Sequence, residues 1–294
     1  MIMRVSPVFL TLVLILIADL VKAQSFYAIR RERSLIATVG SGTANYFGEM
    51  VNPGELGKTR YNIIVGLEYY FTNRISARGE LTYFRIAGND ADADDDREER
   101  NLSFFSNNFE LSTVGTISLF PNGQRFYQRP KFNVYGFVGI GLLLMNPKAE
   151  RQNGEVVALQ PLQTEGVKYS RFQPVIPYGL GIKYMYNPFF NIIIEGGYRL
   201  TFTDYLDDVS SERYPDDPLT FFDNDLSREM NDRRRELDPD YPIQPGLGVR
   251  GNPENNDGYF LLNIKVQYYL NYQFNDAQRK LYNRKRKAYY KKRR

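Results

Sequence analysis

The stretch 258–274, GYFLLNIKVQYYLNYQF, leaves few folds open to this chain. Phe260, Leu262, Ile264, Val266, Tyr268, Leu270, Tyr272 and Phe274 fall on every second position, with Asn263, Lys265, Gln267, Asn271 and Gln273 among the residues between them. Side chains alternate across a strand, so one face is apolar and the other polar. Strands of soluble proteins commonly run to about 5–6 residues. An alternation sustained this far, with amides and a lysine on the second face, fits a strand that has lipid outside and a polar lumen inside. The stretch reads as the closing strand of a transmembrane β-barrel, and Phe274 is the kind of aromatic that usually ends such a strand in a bacterial outer-membrane protein.

The same period recurs upstream and predicts eight strands in all, at 34–46, 60–71, 75–87, 104–120, 132–145, 176–186, 190–205 and 258–274. Ile63, Val65, Leu67, Tyr69 and Phe71 oppose Glu68. Ala77, Gly79, Leu81 and Tyr83 oppose Arg78, Glu80 and Thr82. Phe109, Leu111, Ile117 and Leu119 oppose Glu110, Ser112, Thr116 and Ser118. Tyr178, Leu180, Ile182, Tyr184 and Tyr186 oppose Lys183, and Ile192, Ile194, Tyr198, Leu200 and Phe202 oppose Glu195 and Arg199. The facing of 34–46, rich in glycine around Gly40 and Gly42, and of 132–145, nearly devoid of polar residues, is left open by the pattern.

Connections alternate in length. Those at 72–74, at 121–130 with its Asn122-Gly123, and at Asn187-Pro188 are short. Those after the first, third, fifth and seventh strands are longer and charged, and the longest, 206–257, carries a helix signal near 225–237. Outer-membrane barrels have short periplasmic turns and long outer loops, so both termini are expected in the periplasm. The fold class expected is therefore all-β: an eight-stranded antiparallel barrel of the outer-membrane type, with long extracellular loops and a basic tail.

Parity has a chemical consequence. If the apolar faces meet lipid, the lumen receives Glu68, Glu80, Glu110 and Glu195 together with Arg78, Lys183, Arg199 and Lys265. An eight-stranded barrel is just wide enough for side chains to fill, and a buried charge costs several kcal/mol unless it is paired. The expectation is an interior charge network that plugs the barrel, with rim exposure of some of these groups as the competing reading.

Residues 1–23 read as a secretory signal: Arg4, an apolar run at 8–17 and small or apolar residues before Gln24. The barrel then occupies 24–274 and a basic periplasmic extension 275–294. The chain contains neither Cys nor His, which excludes disulfides, Ser–His and Cys–His catalysis and the usual zinc and haem sites. No catalytic residue, cofactor or metal site is expected. The 23 Tyr and 20 Phe suit aromatic girdles at two interfaces. The acidic cluster Asp90, Asp92, Asp94, Asp95, Asp96, Glu98 and Glu99 fails the EF-hand spacing, which needs Gly at the sixth and a carboxylate at the twelfth position, where Asp95 and Asn101 stand. It reads as a solvated outer loop.

The tail, NDAQRKLYNRKRKAYYKKRR, concentrates Arg279, Lys280, Arg284, Lys285, Arg286, Lys287, Lys291, Lys292, Arg293 and Arg294. Such a cluster can hold an anionic leaflet at about 1 kcal/mol per cation or dock on an acidic protein, and a dedicated partner is not required by the pattern. Nucleic acid is not expected as a partner in the periplasm.

Several runs resemble one family. These are Gly42-Thr43-Ala44-Asn45-Tyr46-Phe47-Gly48-Glu49, Ala77-Arg78-Gly79-Glu80-Leu81-Thr82-Tyr83 with 86–90, Arg100-Asn101-Leu102-Ser103-Phe104, Phe109-Glu110-Leu111-Ser112, Thr203-Asp204-Tyr205-Leu206-Asp207-Asp208-Val209-Ser210 and Arg250-Gly251-Asn252-Pro253. Together they resemble the small outer-membrane barrels of Bacteroidota typified by PorG, from the type IX protein secretion and gliding motility machinery. The resemblance runs from about residue 34 to 274. It implies a non-enzymatic structural component that associates with a periplasmic ring of PorK-like lipoprotein and PorN-like subunits. The alternative is a stand-alone barrel for adhesion or envelope integrity. A lipid-modifying barrel enzyme fits poorly, because those usually need a His.

Overall fold

The computed structural model describes residues 35–51, 58–92, 98–123, 125–241 and 250–271. Its ten strands are β1 (Leu35–Phe47), β2 (Arg60–Tyr70), β3 (Ile75–Asn89), β4 (Ser103–Ser118), β5 (Phe132–Leu144), β6 (Pro147–Glu150), β7 (Val156–Ala158), β8 (Phe172–Met185), β9 (Phe190–Thr201) and β10 (Gly258–Tyr269). Eight of them, all but β6 and β7, close into a barrel in which every strand pairs antiparallel with its neighbours in the chain. The seam joins β1 to β10 in an unbroken ladder from Ile36↔Tyr269 to Phe47↔Gly258. A closed ladder leaves no edge of unpaired backbone groups, a requirement for crossing hydrocarbon with strands.

The outer wall is apolar. Ile63, Val65, Leu67, Leu111, Ile117, Val138, Ile140, Leu142, Leu180, Ile182, Ile194, Leu262, Ile264 and Val266 are all exposed, Ile140 by 74%. A band this continuous is what lipid solvates and water does not. Aromatic rings flank it at both ends. Tyr61 with Tyr83, Tyr83 with Phe109, and Tyr178 with Tyr198 pair at one end. Tyr69 with Phe71, Phe132 with Tyr184, and Phe190 with Tyr268 pair at the other. Among the described residues no helix is long and apolar enough to cross a membrane.

The two undecided strands are now faced. On β1 Thr38, Ala44 and Tyr46 point inward, with Gly40 and Gly42 between them on the same face. On β5 Asn133, Tyr135, Phe137 and Leu143 point inward, while Phe132, Val134, Val138, Ile140 and Leu142 face out.

Several boundaries differ from the sequence expectation. β8 begins at Phe172, because pairing with β5 continues to Leu144↔Phe172 through Pro174. β9 stops at Thr201, and 203–210 folds across the barrel end instead. The connection after β4 lies between Ser118 and Phe132, around the expected 121–130. It reaches back over the opening, where Arg129 donates to Asn191 Oδ1 (2.9 Å) and to the carbonyls of Asn187 and Pro188 (3.0 Å each) and stands over the Tyr269 ring. Within 146–173 the ribbon β6–β7 forms on an extension of β4. The helix expected at 225–237 breaks at Asp232 into α2 (Asp225–Asn231) and a 3₁₀ turn, Arg234–Glu236, with α1 (Pro218–Phe221) before it. β10 is assigned to Tyr269, and the Leu270 N–H still donates to the Leu35 carbonyl (2.9 Å); residues 272–274 of the predicted closing strand, the signal segment and the basic tail with Arg279 to Arg294 lie outside the described residues.

The four long connections converge at one end, here the loop end. They build a cap whose core, with Met50, Leu102, Ala149, Val157, Leu159, Leu206, Val209 and Met230, is continuous with inward residues Tyr46, Phe84, Ile86, Phe104, Leu143 and Tyr259 of the strands.

Candidate functional site

Inward parity places all eight charged side chains of the sequence reading in the lumen, each at most 7% exposed. The barrel is a ring of eight strands, so strands four places apart face each other across the lumen. Arg78 on β3 reaches Glu195 on β9, its diametric opposite, at 2.6 Å. Glu68 on β2 faces Lys183 on β8, again diametric, at 3.5 Å. The Tyr259 hydroxyl on β10 donates to Glu110 on β4 at 2.8 Å, the third diametric contact. Side chains from opposite walls therefore meet inside the lumen at three levels.

The centre of this network is a closed ring of two cations and two anions. Arg78 pairs with Glu80 (3.0 Å) and Glu195, and Lys265 pairs with Glu80 (2.7 Å) and Glu195 (2.6 Å). Tyr135 donates to the Glu195 carboxylate, and the Arg78 guanidinium lies 5.5 Å from the Phe137 ring centroid. Toward the turn end, Glu68 accepts from Ser76 (2.6 Å) and Gln267, and Lys183 donates to Tyr70 (2.8 Å). Toward the loop end Arg199 meets Glu110 at 3.3 Å and donates to the Gly197 carbonyl at 2.7 Å. Charges balance layer by layer, which is the condition under which burying them is tolerated.

A second polar cluster sits above the apolar layer, in the cap. Arg100 clamps Asp90 through two bonds of 2.7 and 2.6 Å. Asp90, fully buried, is thus part of the cap and not of a solvated loop; Glu98 and Glu99 are exposed, and Asp94, Asp95 and Asp96 lie outside the described residues. Arg250 pairs with Glu165, which also accepts from the Ser210 and Ser211 amides (3.0 and 2.9 Å). Asp208, in the left-handed region at φ 73°, accepts from Thr164 and from Tyr169 (2.5 Å), and burial lifts its carboxyl to about 6. Arg100 and Arg250 each form an ion pair with one carboxylate.

Four more carboxyls gather beside them: Glu49 after β1, Asp204 and Asp207 after β9, and Asp257 before β10. The Tyr46 hydroxyl lies 2.6 Å from Asp207 Oδ2 and 2.8 Å from Asp257 Oδ1. A phenol has one proton to give, so both contacts are hydrogen bonds only when one carboxyl is itself protonated. Backbone amides of Val209 and Leu206 bind Asp207 and Asp257 at 2.9 Å each. Burial, then the Asp204 charge, pushes Glu49 up to about 7; burial, then Asp207, pushes Asp204 up to about 7. Burial and the neighbouring carboxylates hold Asp207 and Asp257 well above the ordinary range. None of Asp204, Asp207 and Asp257 forms an ion pair among the described residues.

Sequence reasoning did not single out this cluster. Its members come from the first and the last connection and acquire proximity only through barrel closure: Tyr46 and Asp257 are 211 positions apart. A signal was present nonetheless, because Glu49, Arg100, Asp204, Asp207, Asp208 and Arg250 all belong to runs quoted for the family resemblance.

No family model matches the sequence, and no curated protein matches it. Among solved structures, the fold is similar to Neisserial surface protein A (8% identity, 80% of this chain and 97% of that one, TM-score 0.41). It is also similar to Ail of Yersinia pestis (12% identity, 81% and 99%, TM-score 0.36) and OprG of Pseudomonas aeruginosa (8% identity, 82% and 100%, TM-score 0.36). Likenesses at this level carry no inference about activity or partners.

Proposed function

We propose that this protein is a non-enzymatic outer-membrane barrel that serves as a rigid, closed anchor, with the loop end outside and both termini in the periplasm. The observation that carries the reading is the set of cross-lumen contacts, Arg78 to Glu195, Glu68 to Lys183 and Tyr259 to Glu110. A lumen tied across its full width transmits force between its faces and passes neither ions nor solutes. The protein in planar bilayers should show no nanosiemens-scale openings; stable open channels of that size would reject the plug.

The finer reading is a structural component of the type IX secretion and gliding machinery that holds the periplasmic ring. Its support is the family resemblance, together with a basic tail suited to an acidic surface. Crosslinked pull-down of the tagged protein should recover PorK-like and PorN-like subunits, and truncation before Arg279 should weaken recovery if the tail docks. Recovery of neither subunit would end this reading. The alternative, adhesion or envelope integrity, is favoured by the loop end, where the long connections form a packed cap that presents a fixed surface. Loss of surface attachment or of envelope integrity in a deletion strain that still secretes normally would select it.

A further inference from the structure

We propose that Glu49, Asp204 and Asp257 bind a divalent cation, calcium by their chemistry, at the loop end of the barrel. Each offers a carboxylate oxygen, and the three oxygens lie within 4.8 Å of one another. Calcium binds oxygens at about 2.3–2.6 Å, so its ligands stand at most about 5 Å apart. The donor set is all oxygen in a chain without His or Cys, which selects a hard cation. Carboxylates brought in from separate connections form an irregular set, which calcium accepts more readily than magnesium with its strict octahedron.

The observation that points to a ligand is Asp204. It is only 7% exposed, yet both of its carboxylate oxygens are buried without a hydrogen bond of normal geometry. Ser210 and Glu49 both stand near enough to favour the ionised form of Asp204, but neither closes such a bond. A desolvated carboxylate with both oxygens open, aimed at two others, is costly unless something positive sits between them. Neither nearby arginine forms an ion pair with Asp204: Arg100 is bonded to Asp90 and Arg250 to Glu165, and Arg100 reaches the Glu49 and Asp207 carboxyls only through space. Asp207 completes the wall through Tyr46, whose hydroxyl ties it to Asp257. A bound cation would staple the start of the first connection to both ends of the last one, across the barrel seam. The inference holds whichever partner the barrel serves.

The test uses the full chain in detergent micelles, stripped with chelator at pH 7.5. Calcium titration by calorimetry should show one saturable site with a dissociation constant of about 10⁻⁴ to 10⁻³ M, the range of extracellular modules. Terbium at the same site should luminesce through Tyr46. Asp204→Asn and Glu49→Gln should each weaken this site by at least about tenfold, since a ligand charge is lost, while leaving any calcium on the exposed acidic loop unchanged. Stability supplies an independent readout. In chelator Asp204→Asn should unfold at a higher temperature than wild type, because a repelling charge is gone. In calcium the order should reverse. No saturable site up to 10 mM calcium (a ceiling about tenfold above that range), or a site unchanged in both variants, would overturn the proposal. So would Asp204→Asn ranking above wild type in calcium as well as in chelator.

Discussion

Replacing Arg78 with methionine should cost the barrel about 3–5 kcal/mol, the loss expected when one partner of a buried ion pair is removed. Arg78 is fully buried and bonds Glu80 and Glu195 at once. Methionine fills most of the same volume, so the loss is electrostatic. Two carboxylates are left sharing Lys265, and one negative charge in the lumen has no counter-ion. Water cannot easily compensate, because the lumen is tied off above by Glu110 with Tyr259 and below by Glu68 with Lys183. The diagnostic variant is the pair Arg78→Met with Glu195→Gln. It leaves Glu80 and Lys265 as a neutral couple, and glutamine still accepts from Tyr135. The pair should therefore recover at least half of the lost stability despite carrying more changes. Urea unfolding of the reconstituted protein measures all three. A double variant no better than Arg78→Met would show that the ring's charge balance is not what holds the lumen together.

How far such an interior can be read from sequence depends on what fills each level of it. Where the lumen is ionic, parity suffices: the alternation that turns Ile63, Val65 and Leu67 to lipid must turn Glu68 inward, and the same holds for Arg78 beside Leu81 and Glu195 beside Ile194. Where the inward residues are themselves apolar, parity is silent. Tyr135, Phe137 and Leu143 on β5 face an interior that becomes hydrophobic toward the cap, so both faces of that strand look alike. The ends of β8 and β9 are hidden for a related reason. Pairing carries β8 upstream of 176 to Phe172, while Phe202 keeps the outward parity of Leu200 beyond the end of β9 although Thr203 and Asp204 are buried in the cap. The carboxyl cluster had no periodicity at all, because loops converge by topology and not by spacing. Asp90 illustrates the limit: one member of an acidic run is sealed beneath Arg100 while Glu98 and Glu99 remain in water.

The closing seam carries the other large expected effect. Gly42→Ala should prevent the barrel from closing in most of the population, whereas Gly79→Ala should be indistinguishable from wild type. Both glycines lie in strands of the same wall, and neither needs a positive φ. They differ in what a methyl group would meet. At Gly42 a Cβ would lie 1.8 Å from the Leu262 carbonyl oxygen and 2.7 Å from the Asn263 Cα, both backbone atoms of β10. Backbone cannot rotate away as a side chain can, so relief requires the two strands to separate where Gly42 pairs with Asn263. At Gly79 nothing lies within 4 Å, since the residue faces outward. Overpacking in a close-packed interior costs about 1–3 kcal/mol and occasionally more, and a 1.8 Å approach to fixed backbone lies beyond that usual range. The consequence spreads, because β1 to β10 is the only ladder joining the first strand to the last and its rupture exposes two unpaired edges to hydrocarbon. Gel migration of the refolded, unheated protein distinguishes closed barrel from open chain. Gly42→Ala folding to the wild-type yield and stability would mean that the approach of β1 to β10 is looser than the inward glycines imply, and the seam would then lose its place as the step that completes the wall.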